Sequence, residues 1–431
     1  MLKILFDNEK VRLSWLDIII ALAFFGFGLV LFTQMYRVQS DMFFHLRTMT
    51  LDSYDKKRLF FPSYDALMRL GTDAMALFQR KYMVLGYSAL LALLFSLKYL
   101  VVSAISLDYF SRRGLIERAE SPFFKAALVF LCLASQLIAF PQLVSNYWQA
   151  DIPRVNVWHN PTCVGVLPFA VLLFYFSFRA LEEGKPKYFF LTAFFFFLNA
   201  FTKPAYLLPW LPCFFLFFAF VDLREKDFTF RFNWKKLLIS LALGIPLALA
   251  LSFTSAGKNR VAESVVFSLP FALESHMQHI DFGRYLSLVS ERLLGESTAE
   301  ASGAWQLFWY LIYYKPLSLL CGLAFPIAAF FAVRRKKDAI LIFSWIALFF
   351  SYVIAFFLAE QGVTRPHLNF TWQIPLAVFI LFFVSLLKVF SDEDFAPRPR
   401  WALAAALGVF LLHAYQGILY LQRLFFTWTF R

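Results

Sequence analysis

The chain has 431 residues, 60% of them hydrophobic and 58 of them Phe, with a formal net charge of +13. That apolar content excludes an ordinary soluble enzyme, because runs of about 20 apolar residues, enough to cross a hydrocarbon core as a helix, recur along the chain. In a soluble protein the positive charge would point to nucleic acid. Here it reads as topological signal from Lys and Arg in cytoplasmic connections, and no nucleic-acid partner is expected.

Lys3, Lys10 and Arg12 place the opening segment in the cytoplasm. The first apolar run, 15–36, is too long for the core of a cleavable signal and is expected to span outward. Segment 37–81 mixes Asp with basic and apolar residues, which suits a first outer loop of amphipathic helices lying on the membrane face. Run 82–107 returns to a basic connection with Arg112, Arg113, Arg118 and Lys125. Run 123–140 goes out, and 142–161 is a polar and aromatic outer loop. Run 162–181 comes back to a charged turn, and the short run 188–202 ends in Thr202-Lys203-Pro204.

Run 205–221 carries Pro209 and Pro212, and the basic stretch 222–236 follows it. Run 237–255 leads to a second long outer segment, 256–304, whose His276, His279, Asp281 and Arg284 suit a solvated face. Run 305–333 contains Lys315-Pro316, where a helix break is expected. Arg334-Arg335-Lys336-Lys337 is the densest cytoplasmic marker. Runs 339–359, 373–389 and 402–421 complete about eleven spans, N-terminus inside and C-terminus outside. The whole chain, 1–431, thus reads as a single all-α integral-membrane domain with no clear internal repeat. Cys132, Cys163, Cys213 and Cys321 lie in apolar segments, without metal-site spacing or a disulfide framework.

With this alternation the unusual polar residues gather on the outer face. Asp41 in Ser40-Asp41-Met42-Phe43-Phe44-His45 follows the first span, where a carboxylate can stay ionised and take a proton from an acceptor hydroxyl. It equally suits an N-cap. His45 lies one helical turn on and would share its face. One Asp and one His are too few ligands to argue for a metal, so none is assigned, and a divalent ion stays an alternative.

Lys203 sits between two strongly apolar runs, where a cation is costly. It suits a phosphate contact, or snorkelling to the interface. Arg365 offers a guanidinium fork to phosphate oxygens, or an ion pair to Glu360. Asp151, His159 and His367 complete the outer set of substrate-binding candidates, and His159 also fits a polar cap for the run after it. Tyr147, Trp148 and Trp158 suit a sugar-stacking wall or an interfacial belt. No phosphate-binding Gly loop, HExxH or GxSxG is present.

The acidic residue just after the first span, the long amphipathic first outer loop and the eleven or so helices resemble the GT-C superfamily. These are multi-spanning glycosyltransferases that use polyprenyl-phosphate-linked sugars. Trp158-His159-Asn160-Pro161-Thr162, Thr202-Lys203-Pro204 and the stretch from Glu360 through Arg365-Pro366-His367-Leu368-Asn369-Phe370-Thr371-Trp372 resemble bacterial members of that group. The resemblance covers most of the chain as architecture and implies inverting sugar transfer at the outer face of the cytoplasmic (inner) membrane. The acceptor would be an envelope glycan, glycolipid or protein. Asp41 would be the base, and Lys203 and Arg365 would neutralise the leaving lipid phosphate. Many members pair acidic residues in this first loop, whereas Met42 follows Asp41 here, which leaves metal use and subfamily open. No soluble C-terminal domain is expected. The alternatives are a transporter or flippase for a lipid-linked sugar, which would favour related halves and a polar path across the bilayer, and a lipid-linked glycan polymerase or ligase.

Overall fold

The computed structural model describes residues 5–37, 83–135, 160–222, 229–230, 232–240, 264–268, 315–332, 338–361, 371–391 and 400–426, with isolated positions 68, 70, 72, 309 and 311. Nearly all of this is helix. The order is α1 (Trp15–Arg37), α2 (Met83–Ser111), α3 (Ile116–Glu120), α4 (Pro122–Leu133), α5 (Pro161–Glu183), α6 (Pro186–Thr202), a 3-10 turn (Pro204–Tyr206), α7 (Leu207–Phe220), α8 (Lys315–Gly322), α9 (Ala324–Ala332), α10 (Ala339–Phe357), α11 (Gln373–Ser391) and α12 (Arg400–Phe426). Residues 234–240 are also helical.

Local chemistry sets many of these boundaries. Ser14 and Asp17 form a reciprocal box at the start of α1: the Ser14 amide donates to Asp17 at 2.8 Å and the Asp17 amide to Ser14 Oγ at 3.3 Å. Pro begins α4, α5 and α6, where its missing N–H costs nothing. Gly184 ends α5 in the left-handed conformation (φ 67°), which permits the tight turn into α6.

Among the described residues, six helices are long and apolar enough to cross a membrane: α1, α2, α5, α10, α11 and α12. Their outward faces carry large exposed apolar side chains, among them Ile19 and Leu22 on α1, Phe349 on α10, and Leu411 and Leu412 on α12. Such a continuous apolar exterior matches lipid rather than water. The protein is a helical, membrane-embedded one. Helix α11 is buried on nearly every side and forms the centre of the bundle. Helices α1 and α2, α5 and α6, and α10 and α11 pack as neighbours. Gly28 lets α1 approach α2: a Cβ there would lie 3.1 Å from the Ala92 Cα.

Two helical runs end or break level with the middle of a longer neighbour. The sequence predicts a run to residue 140, but α4 ends at Leu133. Lys98, near the middle of α2, donates to the Cys132 carbonyl at 2.6 Å, and the Ser135 amide closes onto the Phe130 carbonyl at 2.7 Å. A cation at a helix C-terminus satisfies carbonyls that have no intrahelical donor. The second break falls at Leu323, between α8 and α9; whether the helix also breaks at Lys315-Pro316, as the sequence predicts, turns on residues 312–314, which lie outside the described residues. Pro326 has no N–H to offer the Gly322 carbonyl, so the ladder is interrupted there. His413 Nε2 accepts from the freed Phe325 amide at 3.3 Å.

Two short antiparallel strand pairs depart from the all-helical expectation: β1 (Val221–Asp222) with β2 (Thr229–Phe230), and β3 (Ser264–Phe267) with β4 (Leu358–Gln361). The span expected over 339–359 therefore ends at Phe357, and part of the 256–304 segment is strand. Ser264-Val265-Val266-Phe267 favours a pleated partner.

Candidate functional site

The helix ends gather at two poles of the bundle. One is basic and internally paired. Asp17 accepts from Lys125 (2.9 Å), Tyr99 (3.0 Å), Ser103 (2.9 Å) and the Ser14 hydroxyl (2.6 Å), so both carboxylate oxygens are saturated. Asp108 accepts from Arg179, from the Tyr175 hydroxyl and from Asn8 Nδ2 (2.9 Å). Arg179 also reaches Glu183 and Tyr188, and Arg112 pairs with Glu182. Lys388 pairs with Asp338, and Arg118 donates to the Phe390 carbonyl at 2.9 Å. Outside the apolar spans, Lys185 is raised from its ordinary value by its hydrogen bond to Glu183 and by that carboxylate's charge. Described residues from four of the connections that the sequence assigns to one side, among them Asn8, Lys125, Lys185 and Asp338, thus lie at one pole.

The opposite pole is built differently. Lys203 follows α6 and precedes the 3-10 turn. Its side chain is buried rather than extended to the surface. The ammonium donates to Asn160 Oδ1 at 3.1 Å, Thr162 Oγ1 at 2.9 Å and Cys163 Sγ at 3.2 Å, and lies 4.8 Å from the centre of the Trp372 ring. None of these groups is a carboxylate. Asn160 caps α5, accepting from the Cys163 amide at 3.0 Å and from Thr162 Oγ1 at 2.7 Å. A cation held against a helix N-terminus opposes the helix dipole, an arrangement worth about 0.3–1 kcal/mol of destabilisation at a surface. Helices α7 and α11 also begin at this pole, adding N–H groups without intrahelical partners. The local field therefore favours an anion.

Of the site residues expected from sequence, Lys203 is described in full. Glu360 is described as backbone only, opposite Val265 in the β3–β4 ladder. Asp41, His45, Asp151, His159, Arg365 and His367 lie outside the described residues, as do nearly all of the outer segments 37–81 and 256–304. What the structure brings together is one residue or pair from each of three stretches singled out in the sequence: Asn160 and Thr162, Lys203, and Trp372. Asn160, rather than His159, is the cap. The Asn-Pro pair, with Asn at the cap and Pro at the first helical position, is the signal that locates it. Asp17 and Arg179 are readable as charges inside apolar runs, and Asp108 as one at the end of a run; such charges are seldom without partners. Comparison with protein-family models, with curated proteins and with solved structures gave no match.

Proposed function

We propose that the chain is an integral-membrane glycosyltransferase of the GT-C kind, with about eleven spans. Its basic pole faces the cytoplasm, as the positive-inside rule requires. Its Lys203 pole faces outward and takes a polyprenyl-phosphate-linked sugar. Lys203, with Arg365, neutralises the lipid phosphate as it leaves. Asp41 withdraws the proton of an acceptor hydroxyl on a glycan, lipid or protein, while His45, Asp151, His159, Glu360 and His367 surround the sugar and the acceptor.

The observation that carries this reading is the convergence of three distant stretches on one buried ammonium whose partners among the described residues are all neutral. The test is transfer of radiolabelled sugar from polyprenyl phosphate into envelope fractions by membranes containing the chain. Asp41→Asn should abolish transfer while insertion and yield stay unchanged. Full transfer by that variant defeats the assignment of the base.

A second reading, a transporter or flippase for a lipid-linked sugar, is favoured by one feature. Two helical runs end or break level with the middle of a longer neighbour, with Lys98 and His413 at those points. Movement of the lipid-linked sugar across proteoliposomes without transfer would favour it.

A further inference from the structure

We propose that Asn199 and Gln373 are specificity-determining residues that bind sugar hydroxyls, so that the Lys203 pole prefers the sugar-bearing carrier to the bare lipid phosphate. This rests on the carrier binding at that pole. Both side chains are fully buried. In each, the amide NH₂ already has a partner: Asn199 Nδ2 donates to the Phe195 carbonyl at 2.7 Å, and Gln373 Nε2 to the Ser351 carbonyl at 3.1 Å. Those bonds fix which end of each amide is oxygen. Among the described residues, Asn199 Oδ1 and Gln373 Oε1 have no donor. Buried polar atoms in native proteins are almost always paired, so each such acceptor calls for a partner.

Both residues adjoin the cation, one along its own helix and one beside the ring it faces. Asn199 lies one turn before Lys203, and its carbonyl accepts the Lys203 amide at 2.8 Å. Gln373 directly follows Trp372, whose ring Lys203 faces. Tyr206, three residues beyond Lys203, is likewise buried with an unpartnered hydroxyl, in the 3-10 turn that packs on α11. The chemistry divides cleanly. An ionised phosphate presents acceptors and suits Lys203. Two amide oxygens repel an anion and accept from hydroxyls, which a sugar supplies and a bare lipid phosphate does not.

The experiment uses the full chain in nanodiscs and native mass spectrometry. The probes are undecaprenyl phosphate and its glucosyl, mannosyl and arabinosyl esters. The unaltered protein should prefer at least one sugar-bearing form. Asn199→Leu and Gln373→Met should each reduce that preference about tenfold, the scale of one unmade buried hydrogen bond, with binding of bare undecaprenyl phosphate unchanged. Unfolding temperature reports whether each variant is folded, and the Asn199 change leaves every backbone bond of α6 in place. Absence of any preference in the unaltered protein, or equal weakening of both forms in the folded variants, overturns the inference. In either case weakening of both forms by Lys203→Met would leave the phosphate site standing. Unchanged binding of both forms by Lys203→Met would remove the phosphate site itself.

Discussion

The two poles of the bundle hold buried cations in opposite ways. At the basic pole Lys125, Arg179 and Lys388 each meet a carboxylate. At the other pole Lys203 meets an amide oxygen, a hydroxyl, a thiol and an aromatic face. A buried charge is tolerable when its partners supply compensating charge and hydrogen bonds. The basic pole is complete in itself and ties helices together. The Lys203 pole has its donors satisfied and its charge uncompensated by any described residue that touches it. That difference separates residues that hold the fold from residues that, under the proposed function, recruit an anionic ligand.

The largest expected effect breaks the paired pole. Asp108→Ala removes the acceptor shared by Arg179, Tyr175 and Asn8, leaving Arg179 its ion pair with Glu183, and should cost about 3 kcal/mol, read as a fall in unfolding temperature in detergent. Replacing both partners, as in Asp108→Asn with Arg179→Met, should recover a substantial part of it. Lys203→Met, by contrast, should cost under about 1 kcal/mol, since its neutral partners lose single hydrogen bonds and the opposing helix dipole is relieved. Equal losses at the two poles would erase the distinction.

Smaller is the effect of overpacking between the poles. Gly28→Leu should cost about 1–3 kcal/mol by pushing α1 off α2 at Ala92. It should leave anion binding at Lys203 intact, which sets its stability cost apart from loss of a ligand.

The smallest effect lies at the exposed rim of the basic pole. Lys185 is half-exposed, between Asp7 and Glu183. Its folded value is raised above 10.5. What it adds is therefore fully present below that ordinary value and is lost as pH rises through the raised one. Unfolding followed from pH 8 upward should show a slight alkaline loss that is missing in Lys185→Met, so that the two proteins differ slightly at pH 7 and converge as pH rises through the raised value.

How far these poles could be read from sequence follows from the kind of signal each carries. Helix boundaries marked by proline or glycine were legible: Pro161, Pro186 and Gly184 delimit α5 and α6 within a few residues of the apolar pattern. Lys203 stood out because its neighbours are so apolar. The stop of α4 was not legible, because it depends on Lys98 reaching across from α2, thirty-four residues away. The break at Leu323 is set by Pro326, which falls where the Gly322 carbonyl needs an N–H, and the hydropathy pattern does not mark it. Pairings such as Asp17 with Lys125 are tertiary facts, and charge pattern alone flags the residues without choosing the partner. Strand β4 was hidden by its continuity with an apolar helix and is set by the distant Ser264–Phe267 segment.

The measurement that bears most directly on the difference between the poles is retention of undecaprenyl phosphate by the purified full-length protein, followed by native mass spectrometry. The unaltered chain, and a folded variant that removes the Lys388–Asp338 pair from the basic pole, should retain it. Lys203→Met should lose it, and Lys203→Arg should keep part of it. Retention by Lys203→Met equal to that of the unaltered chain would contradict the assignment of the neutral-lined pole as the place where an anionic lipid head is held.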